Sequence, residues 1–307
     1  MTIGIISHPD CLLHEMGSMH PEQPARLRVI NEALSKSDLK ADLKMYEAIL
    51  ATRQQLERVH DIAYVEQVFH ASPARGLIGL DADTWMNPYT LKAALRAAGA
   101  VIQGVDLVLS GEVKSVFCNV RPPGHHAEKN HAMGFCFFNN IAVGAAHALE
   151  QHQLKRIAIV DFDVHHGNGT EDIFAKDSRV LFCSSFQHPF YPFSGAETKN
   201  QHIINVPLPI GATGKVFREK VTSQWLEQLK DFQPEMIFIS AGFDAHAKDQ
   251  LSNTALHEED YAWVTQKIKA IADEVCQGRI VSVLEGGYAL DVLGRCVVAH
   301  VDALNIS

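Results

Sequence analysis

Apolar positions along the chain fall into two alternating patterns. Short, nearly continuous apolar runs occur near residues 3 to 7, 114 to 118, 157 to 162, 179 to 184, 203 to 206, 236 to 240 and 280 to 284. They have the length and composition of strands buried on both faces. Between them lie longer stretches with apolar residues three and four apart, the spacing of amphipathic helices: Ala25 to Leu34, Thr90 to Leu109, Asn140 to His152, Lys215 to Lys230, Glu258 to Cys276 and Ala289 to Ala303. Such alternation predicts a mostly parallel sheet sandwiched between helical layers.

Polar chemistry begins where the apolar runs end, which is where open α/β sheets hold their ligands. The run Ile157 to Val160 is followed by Asp161, Asp163 and His165, which alternate along an extended segment and so project to one side. Carboxylate and imidazole suit a divalent metal such as zinc, and a third ligand from another strand leaves a position open for water. Asp244, after the strand-like Met236 to Ile239, is the natural candidate. Any one of these aspartates is equally well read as a helix cap or a turn residue. That reading fails for the set, because His125, His126, His165 and His166 come as adjacent pairs at strand ends, and buried polar groups are costly unless paired.

Composition narrows the setting. With 307 residues and 47% hydrophobic content the chain can bury a large core, and no linker, repeat or low-complexity tract divides it, so one catalytic domain over 1–307 is expected. The apolar runs are too short to span a bilayer, and the N-terminal segment, which lacks a cationic region, reads as a first strand. The six cysteines are scattered without a CxxC pair, which fits a reduced, cytoplasmic setting. A net charge of −9 with no Lys/Arg cluster argues against a nucleic-acid groove but tolerates a cationic peptide or polyamine.

The motifs RPPGHHA from Arg121, GFCFFNN from Gly134, DFDVHHGNGTEDIF from Asp161, AGFDAH from Ala241 and LEGGY ending at Tyr288, with HPEQPAR from His20 and LDADTWMNP from Leu80, resemble the histone deacetylase superfamily. That superfamily includes acetylpolyamine amidohydrolases and acetoin-utilisation proteins. The resemblance covers nearly the whole chain in order. It implies the three-layer α/β/α arginase/deacetylase fold, with zinc, or alternatively iron(II), held by Asp163, His165 and Asp244. It further implies that His125 and His126 handle proton transfer, His126 as general base and acid. His125 would pair with Asp161 and His126 with Asn168. Many relatives carry Asp at this last position; Asn, as in the class II-like branch, accepts the ring N–H without adding charge. Tyr288 would donate a hydrogen bond to the substrate carbonyl and to the oxyanion.

The same resemblance lines the substrate tunnel with Gly134, Phe135, Gly287 and an aromatic from the HPFYPF segment, Tyr191 with Phe190 as the alternative, whereas Phe137 and Phe138 read as core. Arg26 would stand in an inner channel for acetate, or else form a surface salt bridge. A monovalent cation, potassium, would be held by Asp161, Asp163, His165 and Ser184. The implied activity is removal of acetyl groups from acetyl-lysine side chains of proteins or from related small amines. Acetylpolyamine hydrolysis is the neighbouring alternative; Leu251 stands where polyamine-selective relatives place a Glu. A silent acyl-lysine-binding module is the alternative from another class. Arginase-type hydrolysis would need a fuller carboxylate set for two metals.

Overall fold

The computed structural model describes residues 2–305. Its centre is an eight-stranded, entirely parallel sheet built from β1 (Ile3–Ser7), β2 (Leu43–Glu47), β5 (Ser115–Cys118), β6 (Ile157–Asp161), β7 (Val180–Gln187), β8 (Ile203–Leu208), β9 (Ile237–Ala241) and β10 (Ile280–Leu284). A separate antiparallel hairpin joins β3 (Ile78–Gly79) to β4 (Trp85–Met86). All seven strands expected from apolar runs are present. They are β-branched or apolar and buried along most of their length, as parallel strands covered on both faces must be.

The helices are α1 (Ala25–Lys36), α2 (Arg53–Leu56), α3 (Ile62–Ala71), α4 (Thr90–Leu109), α5 (Asn140–Glu150), α6 (Asn168–Phe174), α7 (Gly214–Val221), α8 (Glu227–Phe232), α9 (Glu258–Cys276) and α10 (Leu290–Asn305). The helix expected over 215 to 230 forms as α7 and α8 joined by one π-type turn, Thr222–Leu226, which seats Trp225 in the core. Helix α10 packs against both α1 and α9 in one layer, and α4 packs on α5 in the other.

Strand order is β2-β1-β5-β10-β9-β6-β7-β8. The last two strands to be made therefore fill the middle of the sheet, between β5 and β6. This order puts the carboxyl ends of β5, β10, β9 and β6 side by side, and RPPGHHA, LEGGY, AGFDAH and DFDVHHGNG each lie at the end of one of those four strands.

Candidate metal centre and substrate pocket

Asp163 and His165 leave the end of β6 in a turn, and Asp244 leaves the end of β9. One ligand atom from each lies within 4.8 Å of the others. His165 Nδ1 sits 3.1 Å from Asp163 Oδ1 and 3.2 Å from Asp244 Oδ2. Backbone amides hold the carboxylates in place: Gly286 N–H donates to Asp163 Oδ2 at 2.8 Å, and Val164 N–H to Asp244 Oδ1 at 3.0 Å. This closeness requires glycine. A Cβ at Gly242 would lie 2.0 Å from Asp163 Oδ2, and one at Gly286 2.0 Å from Asp244 Oδ2.

The electrostatics fit a cation. Burial opposes charge on His165, yet the two carboxylates outweigh it and push its pKa to about 10. Burial, then the Asp163 charge, raises Asp244 to about 6. Excess negative charge out of water takes up a proton or a metal ion. Two other groups of ligand-type side chains converge among the described residues, Asp106/His147/His152 and His246/His257/Glu258. In each, a ring nitrogen already accepts from a fixed donor, His147 Nδ1 from Arg58 and His246 Nδ1 from the Lys248 amide. The opposite nitrogen then carries the proton and points it at a carboxylate, so neither group offers a free lone pair from that ring. The strand-end set has no such conflict.

The loop after β5 brings the tandem histidines over these ligands, with ring centroids 4.0 Å apart. His125 Nδ1 lies 2.9 Å from Asp161 Oδ2. Burial disfavours its charged form, but Asp161 and then Asp163 overcome this and hold its pKa at about 10, so the ring is an imidazolium. His126 is the reverse case. Burial, then the neighbouring positive charges of His125 and His165, push it well below the usual range, so it is neutral. Its tautomer follows from its partner. Asn168 donates its Nδ2 to Glu128 Oε1 at 2.7 Å, which leaves Asn168 Oδ1 to accept from His126 Nδ1 at 2.7 Å. His126 Nε2 keeps a free lone pair.

Above this floor opens a pocket of about 260 Å³ lined by His126, His165, Gly134, Phe135, Phe190, Tyr191, Leu251, Tyr288, Asp83 and Gln250. Phe190 and Tyr191 both line it. Phe190 stacks on His165 at 5.6 Å between centroids, and Tyr191 meets His126 edge-on at 5.3 Å. Phe135 meets Tyr288 edge-on at 5.9 Å. Gly134 lets the backbone pass the His126 ring, 2.3 Å from where a Cβ would stand. Phe137 and Phe138 lie in the core.

Arg26 is not in a surface salt bridge. It is wholly buried, stacked over the Tyr288 ring at 4.8 Å, and donates to the carbonyls of Gly287 (2.7 Å) and Glu285 (2.5 Å), with Glu22 as its counter-ion. Ser184 faces Asp161 in register across β6 and β7, and its hydroxyl lies 3.0 Å from His166 Nδ1.

Several residues of this site escaped the sequence reading. Asp83 lines the pocket and accepts from Gly134 N–H at 3.0 Å. Glu285, buried under the histidine loop, accepts from the amides of Gly124 (2.7 Å) and His125 (3.1 Å), and burial raises it to about 7. Asp249 binds the backbone of Leu251 and Tyr288. Asp83 and Glu285 stand inside the LDADTWMNP and LEGGY motifs, but the amides they hold are distant in sequence; Asp249 stands in none of the motifs and two of its three donors are distant.

The model of the histone deacetylase domain matches residues 20–304. The chain belongs to the histone deacetylase family. It is 36% identical to a probable deacetylase of Archaeoglobus fulgidus over 95% of this chain and 82% of that one. To the histone deacetylase-like amidohydrolase of Pseudomonas aeruginosa it is 36% identical over 93% of this chain and 77% of the other. The crystal structure of the HDA15 HD domain superposes with a TM-score of 0.92 at 34% identity, covering 99% of this chain and 88% of that one. The histone deacetylase fold is thus shared in full, and the motif-bearing loops sit at its strand ends.

Proposed function

We propose that this histone deacetylase family member is a zinc-dependent amidohydrolase that removes acetyl groups from lysine side chains of peptides or proteins, or from related small amines. The observation that carries the reading is the convergence of Asp163, His165 and Asp244 beneath a pocket floored by neutral His126 and walled by Tyr288. A divalent ion held by those three residues, zinc or alternatively iron(II), would supply the Lewis acidity that makes water nucleophilic at neutral pH and polarises an amide carbonyl.

The chain's own groups do the rest. His126 Nε2 takes a proton from the attacking water and returns one to the departing amine. His125, charged and oriented by Asp161, stabilises negative charge forming beside it. The Tyr288 hydroxyl donates to the oxyanion, where charge develops. Phe135, Phe190, Tyr191 and Leu251 enclose a methylene chain and exclude water. A potassium ion beside Asp161 and Ser184 and a route for acetate past Arg26 belong to the same proposal, as does a cytoplasmic location. No helix among the described residues is long and apolar enough to cross a membrane.

The test is turnover by metal-reconstituted protein of acetyl-lysine peptides, longer acyl-lysines and acetylpolyamines side by side. Preference for acetyl-lysine is expected, since the pocket wall at Leu251 is apolar. A strong preference for acetylspermidine would replace this reading with polyamine hydrolysis, and tight binding without turnover would make the chain a silent acyl-lysine reader.

A further inference from the structure

One buried carboxylate ties together two walls of the pocket, one from the turns after β9 and one from the segment entering α10. Asp249 is 6% exposed. Its Oδ1 accepts from the amide of Leu251 at 2.9 Å, and its Oδ2 accepts from the amides of Tyr288 at 2.7 Å and Ala289 at 3.1 Å. Leu251 and Tyr288 both line the pocket. The carboxylate touches none of the three metal-ligating side chains. No other hydrogen bond links the 249–252 turn to the segment entering α10.

Three converging N–H donors require an acceptor on both oxygens. A carboxylate meets this demand and an amide cannot, because an Asn in either flip turns its own N–H₂ towards a backbone N–H. An unpaired Tyr288 or Leu251 amide at this depth would have to move towards water. The Tyr288 hydroxyl and the Leu251 side chain would move with it, and a shift of about 1 Å in a catalytic group can cost about 100-fold in rate.

We propose that Asp249 is a positioning residue that sets the Tyr288 hydroxyl and the Leu251 wall in one fixed relation, so that pocket width and oxyanion contact are governed together. The proposal rests on the deacetylase reading above. The competing role is structural: the Tyr288 and Ala289 amides are the free donors leading into α10, and Asp249 would merely cap that helix. Capping alone stabilises the fold and leaves the active molecules unchanged.

The experiment compares zinc-reconstituted wild type, Asp249→Asn, Tyr288→Phe and the double variant, each with its zinc content and melting temperature measured. Asp249→Asn is expected to keep stoichiometric zinc and to lose roughly 10- to 100-fold in kcat on an acetyl-lysine peptide. It should also change the ratio of kcat/KM for acetyl-lysine against hexanoyl-lysine by about fivefold or more, a ratio that does not depend on the fraction of active molecules. In the double variant the loss in kcat should be close to that of Tyr288→Phe alone, because residues that act through one another are not additive. Losses that multiply, or an unchanged substrate ratio with only a lower melting temperature, would overturn the proposal in favour of capping. Amide hydrogen exchange over 250–252 and 286–290 reads the same link without substrate: exchange should quicken in both segments together in Asp249→Asn, and quickening in neither would overturn it. A wild type that hydrolyses no acyl amide would defeat the functional reading while leaving the exchange result to stand or fall by itself.

Discussion

At the level of single side chains, chemistry here is decided by which polar atoms are already spoken for. In the proposed reaction His126 can act as a base because Asn168 and Glu128 fix its proton on Nδ1. His165 is suited to be a ligand because its Nδ1 faces only carboxylate oxygens. Replacing Asp163, His165 or Asp244 with Ala should therefore abolish both retained metal and hydrolysis; stoichiometric metal in all three variants, measured by atomic emission, would refute the ligand set. Tyr288→Phe keeps the ring against Phe135 and Arg26 and removes the hydroxyl alone. Loss of one oxyanion donor costs on the order of 10²- to 10³-fold, so kcat should fall by about that much with KM and metal little changed. Leu251→Glu should move the kcat/KM ratio towards acetylpolyamines, checked by the paired assay. The histidines, aspartates and Tyr288 were legible because they stand in motifs that follow apolar runs. Arg26 shows the limit: its motif marked it as notable, but nothing in the neighbouring residues distinguishes a surface pair from a guanidinium buried against the carbonyls of Glu285 and Gly287.

Among the elements, those that hold the site were the most readable, since strands covered on both faces carry apolar residues at every position. The unread ones have mixed surfaces. Strand β2 lies at the sheet edge with Lys44 and Glu47 exposed, and so lacks an apolar run. Helix α6 begins inside the DFDVHHGNG motif, where glycines disguise its start. The hairpin β3–β4 has two residues per strand, too few to show a period. The turn after β9 makes a prediction of its own. Gly242→Ala would drive a methyl group into the Asp163 carboxylate, so zinc affinity should fall about 10- to 100-fold, the range seen when support of a ligand is lost. Titration with a chelating indicator checks this; unchanged affinity would show that the turn yields.

For the molecule as a whole, one buried histidine makes acid destabilising. His60 is buried between the Glu128 carbonyl and the Asn139 amide, and burial lowers its pKa from 6.5 to about 4. It stays neutral in the fold while the unfolded chain takes up a proton, so its contribution is complete above pH 6.5 and is lost on acidification, levelling off near pH 4. The total is roughly 3 kcal/mol, at about 1.4 kcal/mol per pH unit. His60→Gln should flatten the decline of the urea midpoint between those limits, and an unchanged slope would acquit this residue. Strand order has a consequence for biosynthesis. Until β9 and β10 leave the ribosome, β5 and β6 have no neighbours on their inner edges, and the nascent chain carries two half-sheets with bare hydrogen-bonding rims. Such rims invite pairing with other chains. Release factors, frameshifts or proteases that end the chain before Ile237 should thus yield aggregate and no metal binding, whereas the finished protein completes its sheet and, with Asp244, the proposed metal-ligand set in the same late step.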